Sequence, residues 1–489
     1  MVDQQGIVAN HPERQHNGNA LCAGVAALGL AILGAPAAAL EHHYTVSVAA
    51  GLESLAVRAE FGAPVTRIRA RSGGADDVLE AARPCAGGAA LEVRGRRLQP
   101  VGGPVSCIEY SVDLAAAAAA ERQRHGFTGE AVVVSPARWL WHPRLGPDDR
   151  LVVRFNLPAG VRVAVPWPPA PATSDTYFVG PSPGSGRAQA VFGRFPAAIR
   201  TVAGAELRVT VLGPLAPART EVLADWVAAT AGHVALAYGR FPNPAVSVYL
   251  VPVTGSPRGG DSSAVPFGRV VRDGGESIEL LVNPGRPIEE FYAEWTPTHE
   301  FAHLMLPYLD GNGRWISEGF ATYYQNVLLA RAGQYSETRA WQKLVSGFER
   351  GRRSAPWLSP NAAAGGDERN TRMKVYWSGA ALALLADVEL RRRSGGAESL
   401  DTVLGALADC CLPSAKTWTG LELFRTLDGL LDAPVFVPLY RRHADSAGFP
   451  DVDDVLEALG VTAGGDVDLA ENAPLASIRR QLMRPPAGP

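Results

Sequence analysis

The stretch Thr296-Pro-Thr-His-Glu-Phe-Ala-His-Leu-Met-Leu306 places two histidines four residues apart with a glutamate directly after the first. Thr296 reads as a helix N-cap and Pro297 as the first helical residue, so the pattern predicts a helix running through both histidines. Positions four apart are displaced by only about 40° around a helix of about 3.6 residues per turn, so His299 and His303 can direct two imidazoles at one ion. Glu300 then stands beside that ion, where it can take a proton from water and pass it to a leaving amine. With 10 histidines in the chain, a chance HExxH has a likelihood on the order of one in a hundred, and the competing reading is a buried helix whose histidines are merely hydrogen-bonded.

A hydrolytic metal site needs three protein ligands and one open position. Trp315-Ile-Ser-Glu-Gly-Phe-Ala-Thr-Tyr-Tyr324 supplies the third candidate ligand in Glu318. Ser317 is expected to cap this second helix, with Glu318 in its first turn facing back toward the histidines. The intervening Leu309-Asp-Gly-Asn-Gly-Arg314 is dense in residues that tolerate unusual backbone angles and provides the reversal. Taken alone, a carboxylate near a helix start is explained by the helix dipole; after HExxH at this distance, ligation is the better reading. Thr322 and Asn326, one and two turns on, either orient a ligand or are ordinary helix surface.

HEFAH followed by WISEGFATYYQ resembles the gluzincin metallopeptidases, and Tyr376-Trp-Ser-Gly-Ala380 resembles the Tyr-x-x-Gly-Ala helix of that clan. Within it, the chain resembles the glycyl aminopeptidase family, a relative of the aminopeptidase N family, over about residues 220–460. The resemblance implies a thermolysin-like catalytic domain with a single Zn2+ held by His299, His303 and Glu318. It further implies Glu300 as proton shuttle, Tyr376 as hydrogen-bond donor to the oxyanion, and a peptide or protein substrate, with aminopeptidase action as one form of the activity. Two departures bear on that inference. Only 14 residues separate His303 from Glu318, fewer than in aminopeptidase N-like members. No Gly-x-Met-Glu-Asn segment precedes the zinc helix; the nearest stretch is Phe267-Gly-Arg-Val-Val-Arg-Asp-Gly-Gly-Glu276, where Glu276 is the weak candidate for an amine anchor. These departures motivate the competing reading, a non-catalytic binding or assembly protein on a peptidase fold. Zinc hydrolysis of a non-peptide bond is a third.

The rest of the chain frames this motif. At 489 residues it exceeds what one core usually serves. With 47% hydrophobic and 19% charged residues the composition is that of a packed globular protein, so disordered and fibrous classes are excluded. A formal net charge of -3, with no Lys/Arg-rich stripe along the chain, disfavours nucleic acid as a partner. The expected class is α+β and multidomain. Residues 1–39 read as a signal peptide, 40–218 as a β-rich antiparallel N-terminal domain, 219–350 as the catalytic domain and 351–489 as a helical C-terminal domain.

The signal peptide rests on the apolar run Ala20 to Leu33 followed by Gly-Ala-Pro-Ala-Ala-Ala39, with cleavage expected near Ala39. The alternative is an uncleaved N-terminal anchor. Either way the protein is expected to be exported, periplasmic or secreted, with no membrane span in the mature chain unless the signal segment stays uncleaved. In that oxidising setting Cys85 and Cys107 are expected to pair, while the adjacent Cys410 and Cys411 are either two thiols or a vicinal disulfide. His142, His233 and His443 have no spaced partners and read as structural.

Overall fold

Alternating burial along Glu41–Val48, with Tyr44, Val46 and Val48 inside, marks a strand with one face on a core. A computed structural model describes residues 39–485 except 122–126, 129, 172, 182–186, 254–262, 367 and 463–465. The expected signal segment lies outside the described residues but for Ala39. The strands of the first region are β1 (Glu41–Val48), β2 (Ser54–Val65), β3 (Ile68–Arg69), β4 (Leu79–Pro84), β5 (Glu92–Arg94), β6 (Arg97–Gln99), β7 (Val105–Asp113), β8 (Phe127–Thr128), β9 (Ala131–Val134), β10 (Arg150–Asn156), β11 (Arg162–Ala164), β12 (Thr176–Val179) and β13 (Ala190–Gly193). Two short helices, α1 (Leu114–Ala119) and α2 (Pro136–Trp139), interrupt them.

A six-stranded sheet in the order β12-β10-β1-β2-β7-β4 packs on a four-stranded sheet, β11-β13-β9-β8, over a core rich in aromatic side chains. There Phe155 stacks on Trp167 with ring centroids 6.5 Å apart, and Trp139 meets both edge-on or tilted. The sheet is mainly antiparallel, as alternation predicts, but β1 pairs with β10 in parallel. Cys85 and Cys107 are joined, and so are the neighbours Cys410 and Cys411.

A further, five-stranded sheet carries the HExxH segment's support. It comprises β14 (Ala197–Val202), β15 (Ala205–Val211), β16 (Ala245–Pro252), β17 (Phe267–Arg272) and β18 (Glu276–Val282), in the order β14-β15-β16-β18-β17. Leu207–Val211, expected among the strands of the N-terminal antiparallel domain, instead runs parallel to β16 in this sheet. The reason is the helix that follows, α3 (Pro217–Tyr238), which provides the crossover a parallel pair requires. Strand β18 lies inside the sheet, paired with β16 on one side and β17 on the other, and β17 is the edge.

Apart from a two-stranded ribbon of Val461–Thr462 with Asp468–Leu469, the remaining elements are helical: α4 (Ile288–Tyr292), α5 (Thr296–Ala302), α6 (Arg314–Arg331), α7 (Glu337–Arg353), α8 (Pro360–Ala364), α9 (Glu368–Ser394) and α10 (Leu400–Cys411), then helices at Gly420–Asp428, Phe436–His443, Asp453–Leu459 and Ala476–Met483. The layout is α+β and multidomain, with a β region first and helices last. No helix among the described residues is long and apolar enough to cross a membrane.

Two glycines set how closely α6 and α9 cross. A Cβ on Gly319 would lie 2.2 Å from Gly379 Cα, and one on Gly379 would lie 2.0 Å from the Trp315 carbonyl oxygen. Only glycine permits that approach. Buried charges then lock the pair to α10: Arg331 Nη2 meets Asp401 at 2.8 Å, Arg391 bridges Asp401 at 3.0 Å and Asp387 at 2.9 Å, and Tyr323 donates to Asp387 at 2.8 Å. Each buried ion is paired, which is the condition under which a charge is tolerated inside a fold.

Candidate metal centre

The helix carrying the first histidine starts at Thr296 with Trp295 as N-cap, so Thr296 is the first helical residue rather than the cap. Helix α5 ends at Ala302, and His303 begins a 3-10 turn that continues to Met305. The tightening leaves both imidazoles on one side, with ring centroids 4.8 Å apart and planes at 90°. Helix α6 starts at Arg314 with Gly313 as N-cap, so Ser317 and Glu318 sit in its second turn. Ser317 therefore does not cap the helix. Its Oγ lies 3.1 Å from His303 Nδ1, which leaves Nε2 of that ring facing Glu318.

Glu318 Oε2 lies 3.3 Å from His299 Nε2 and 3.5 Å from His303 Nε2. One ligand atom from each of the three residues falls within 4.8 Å of the other two. A tetrahedral ion with bonds of about 2.0–2.1 Å has ligand–ligand edges of about 3.3–3.4 Å, so this spacing suits such an ion. Burial by itself would raise the Glu318 carboxyl, but the two imidazoles reverse that and hold it far below the usual carboxylate range. Burial would likewise lower His299, and the Glu318 and Glu300 carboxylates overcome it and raise the ring above its ordinary value. Anion and cation thus stabilise each other where a divalent ion would sit.

Glu300 is buried, and burial lifts its carboxyl above the ordinary value against the pull of His299 and His303. The backbone N–H of Val270 on β17 donates to it. A Cβ on Gly268 would lie 2.6 Å from Glu300 Cγ, so the edge strand needs glycine there for Glu300 to fit. Tyr376, on α9, stacks on the His299 ring at a centroid separation of 5.8 Å and an angle of 9°. Burial, with the Glu318 and Glu300 charges, pushes its phenol well above the ordinary value, so the hydroxyl keeps its proton. The five predicted site residues thus come together, four of them lining a cleft of about 680 Å3.

Other predicted residues fall elsewhere. Glu276 is held by Arg272 Nε at 2.9 Å and is not turned to the metal cluster. Thr322 Oγ1 is buried without a hydrogen-bond partner, and Asn326 donates to the Thr322 carbonyl at 2.8 Å, so neither hydrogen-bonds a histidine or Glu318. The sequence reading missed Arg272, whose Nη2 donates to the carbonyls of His303 at 2.8 Å and Leu306 at 3.0 Å. It satisfies the acceptors left open where α5 ends. It also missed Gly268, whose only signal was a glycine inside a strand.

No family model matches the chain, and no curated protein is similar to it in sequence. Solved structures are similar in fold. An aminopeptidase N family protein from Idiomarina loihiensis matches with a TM-score of 0.59 at 13% identity, covering 88% of this chain and 82% of that one. An M1 zinc metallopeptidase from Deinococcus radiodurans, in a variant bound to the substrate Tyr-Ser-Ala, matches with a TM-score of 0.53 at 15% identity, covering 84% of this chain and 94% of that one. The same enzyme without the substitution gives a TM-score of 0.51. The fold of this chain is that of the M1 zinc metallopeptidases.

Proposed function

We propose that the protein is a zinc-dependent peptidase. The observation that carries this reading is the approach of His299, His303 and Glu318 to within 4.8 Å of one another. Two nitrogen donors and one carboxylate are a donor set suited to zinc, with room for a fourth position on the cleft side. When bound there, zinc supplies Lewis acidity, polarising the scissile carbonyl and making water a stronger acid.

The chain's own residues do the rest. Glu300, its carboxyl lifted by burial, takes the proton from water and returns it to the departing amine. Tyr376, its hydroxyl kept protonated, donates a hydrogen bond to the carbonyl oxygen as negative charge gathers on it. Ser317 fixes the His303 ring, and Gly268 leaves Glu300 the room to swing between water and amine. An open cleft with Glu300 and Tyr376 on its wall supports catalysis over a purely binding role.

The finer reading, release of an N-terminal residue, needs a carboxylate to take the substrate's amine. Among the described lining residues outside the metal cluster, Glu279 is paired with Arg269 at 2.7 Å and Asp310 accepts from the Gly313 N–H at 2.7 Å. A cleft with its spare carboxylates engaged favours a peptidase that does not depend on a free amino terminus. We also place the enzyme outside the cytoplasm, a reading supported by the Cys85–Cys107 bond and by the apolar N-terminal run.

The test pairs metal analysis with kinetics. Purified protein should carry about one zinc per chain. Glu300→Gln should retain it while losing about 10²–10⁴-fold in peptide hydrolysis. Equal, background-level cleavage of a broad peptide library by wild type and Glu300→Gln removes the proposal. Comparing free with N-acetylated peptides decides between the two modes of cleavage.

A further inference from the structure

A second cleft, of about 510 Å3, lies where β3, β6 and α2 meet the turn between β17 and β18. Five arginines line it, Arg69, Arg71, Arg96, Arg97 and Arg144, and Asp273 is the one acidic side chain among its described lining residues. They come from separate stretches of chain that strand pairing draws together. Arg69 is the direct partner of Arg97 on β6, and on its other side it bridges His142, with N–H···O bonds of 2.9 Å in both directions. Residues directly opposite share a sheet face, so two guanidiniums and an imidazole stand in a row. Ala70 N–H donates to the Arg96 carbonyl at 3.1 Å, and Arg96 Nη1 returns a bond to the Arg71 carbonyl at 3.2 Å, which brings those two arginines alongside.

Like charges directly opposed destabilise a strand pair. A fold that keeps such a pair breaks a local rule, and such breaks concentrate where a ligand compensates them. The internal compensation here is incomplete. Asp273 engages Arg71, yet its Oδ2 is buried with no partner, and Arg69, Arg97 and Arg144 are exposed at the cleft. His142 adds no acid counterweight: its Nδ1 lies 2.7 Å from the Pro143 carbonyl, and burial with the neighbouring arginines holds the ring to about 4, so it is neutral at physiological pH. Trp167, whose Nε1 donates to the Asp273 carbonyl at 3.1 Å, forms an apolar wall. A concave site lined by one sign of charge concentrates counter-ions, and guanidinium forks match carboxylate and phosphate oxygens.

We propose that this cleft binds a small organic anion carrying two or more phosphate or carboxylate groups. Its volume is that of a small-molecule pocket, and none of its lining residues lines the cleft at the metal cluster, so it is a site additional to the peptidase centre.

Titration calorimetry on the full chain at low ionic strength tests this, with tripolyphosphate in one arm and citrate in the other to separate the two anion classes. One-to-one saturable binding of at least one probe is expected. The double variant Arg69→Ala/Arg97→Ala should weaken it by about tenfold or more, since charge-assisted hydrogen bonds are lost. Its Tm should hold or rise, because the opposed pair is relieved. Arg144→Ala lies outside the strand ladder and should weaken binding without touching the fold, whereas Arg83→Ala, on a different strand, should leave affinity unchanged. Failure of both probes to bind, or binding that neither the double variant nor Arg144→Ala weakens, or an equal loss in Arg83→Ala, overturns the assignment.

Discussion

Replacing Gly319 by alanine tests whether the α6–α9 crossing positions the chemistry. The added Cβ would sit 2.2 Å from Gly379 Cα and 2.3 Å from its carbonyl carbon, both backbone atoms of a 27-residue helix. Carbon contacts settle at about 3.5–4.0 Å, so the helices must part by about 1.5 Å. Overpacking of that kind costs about 3 kcal/mol, and the helix propensity of alanine returns up to about 1 kcal/mol, leaving a net loss of about 2 kcal/mol. The larger effect is geometric. Glu318 precedes Gly319 on one helix, and Tyr376 precedes Gly379 by one turn on the other. A shift of about 1 Å between groups that act together costs about 100-fold in rate. Gly319→Ala is therefore expected to unfold several degrees below wild type and to lose about two orders of magnitude in kcat/KM. Thermal unfolding, bound-zinc analysis and peptide kinetics read the three consequences, with Gly285→Ala as a control because its Cβ would meet nothing within 4 Å. Wild-type Tm together with wild-type kcat/KM in Gly319→Ala would refute the reasoning.

Tyr376→Phe should lower kcat by about 10²–10³-fold with KM nearly unchanged, because the lost hydrogen bond belongs to the transition state; steady-state kinetics separates the two constants. Ser317→Ala should weaken zinc binding by about 10–100-fold through the freed His303 ring, as measured by chelator competition. His233, buried on α3 with its Nδ1 2.9 Å from Thr298 Oγ1, is lowered by burial to about 4. Since the ordinary value is about 6.5, the unfolded chain binds the extra proton first; the stabilisation is complete above pH 6.5 and is lost as pH falls toward about 4, by up to about 3 kcal/mol. In metal-free protein, His233→Asn should flatten the fall in Tm across that window, and an unchanged slope would show that this histidine does not couple to folding.

The local chemistry was legible in the sequence because it is written in short-range spacing. Helical periodicity alone puts His299 and His303 on one side, and the Gly/Asn/Asp loop at 309–313 turns the chain back so that Glu318 can reach them. The capping details were not legible. Ser317 looked like an N-cap, yet the helix begins at Arg314, and the hydroxyl goes to His303 instead. A serine offers the same hydroxyl to either partner, and the start of a helix is decided by the turn before it. Strand content was legible from alternation, but strand partners were not: nothing local in Leu207–Val211 says that it pairs in parallel with β16 and leaves the first region.

What the sequence by itself carried is a metal-ligand pattern, with His299, Glu300 and His303 tied by helical geometry and Glu318 a short turn later, while Tyr376 entered only through the resemblance of its Tyr-x-x-Gly-Ala segment. Only the tertiary structure decided which glycines are required, because Gly319 and Gly379 answer to each other across a helix crossing and Gly268 answers to Glu300 across a strand. Only the tertiary structure gathered the arginines of three separate stretches, at 69–71, 96–97 and 144, into one cleft in a chain whose net charge is -3. Charge density in space depends on which strands pair, and pairing over long sequence separations leaves no mark in any short stretch of sequence.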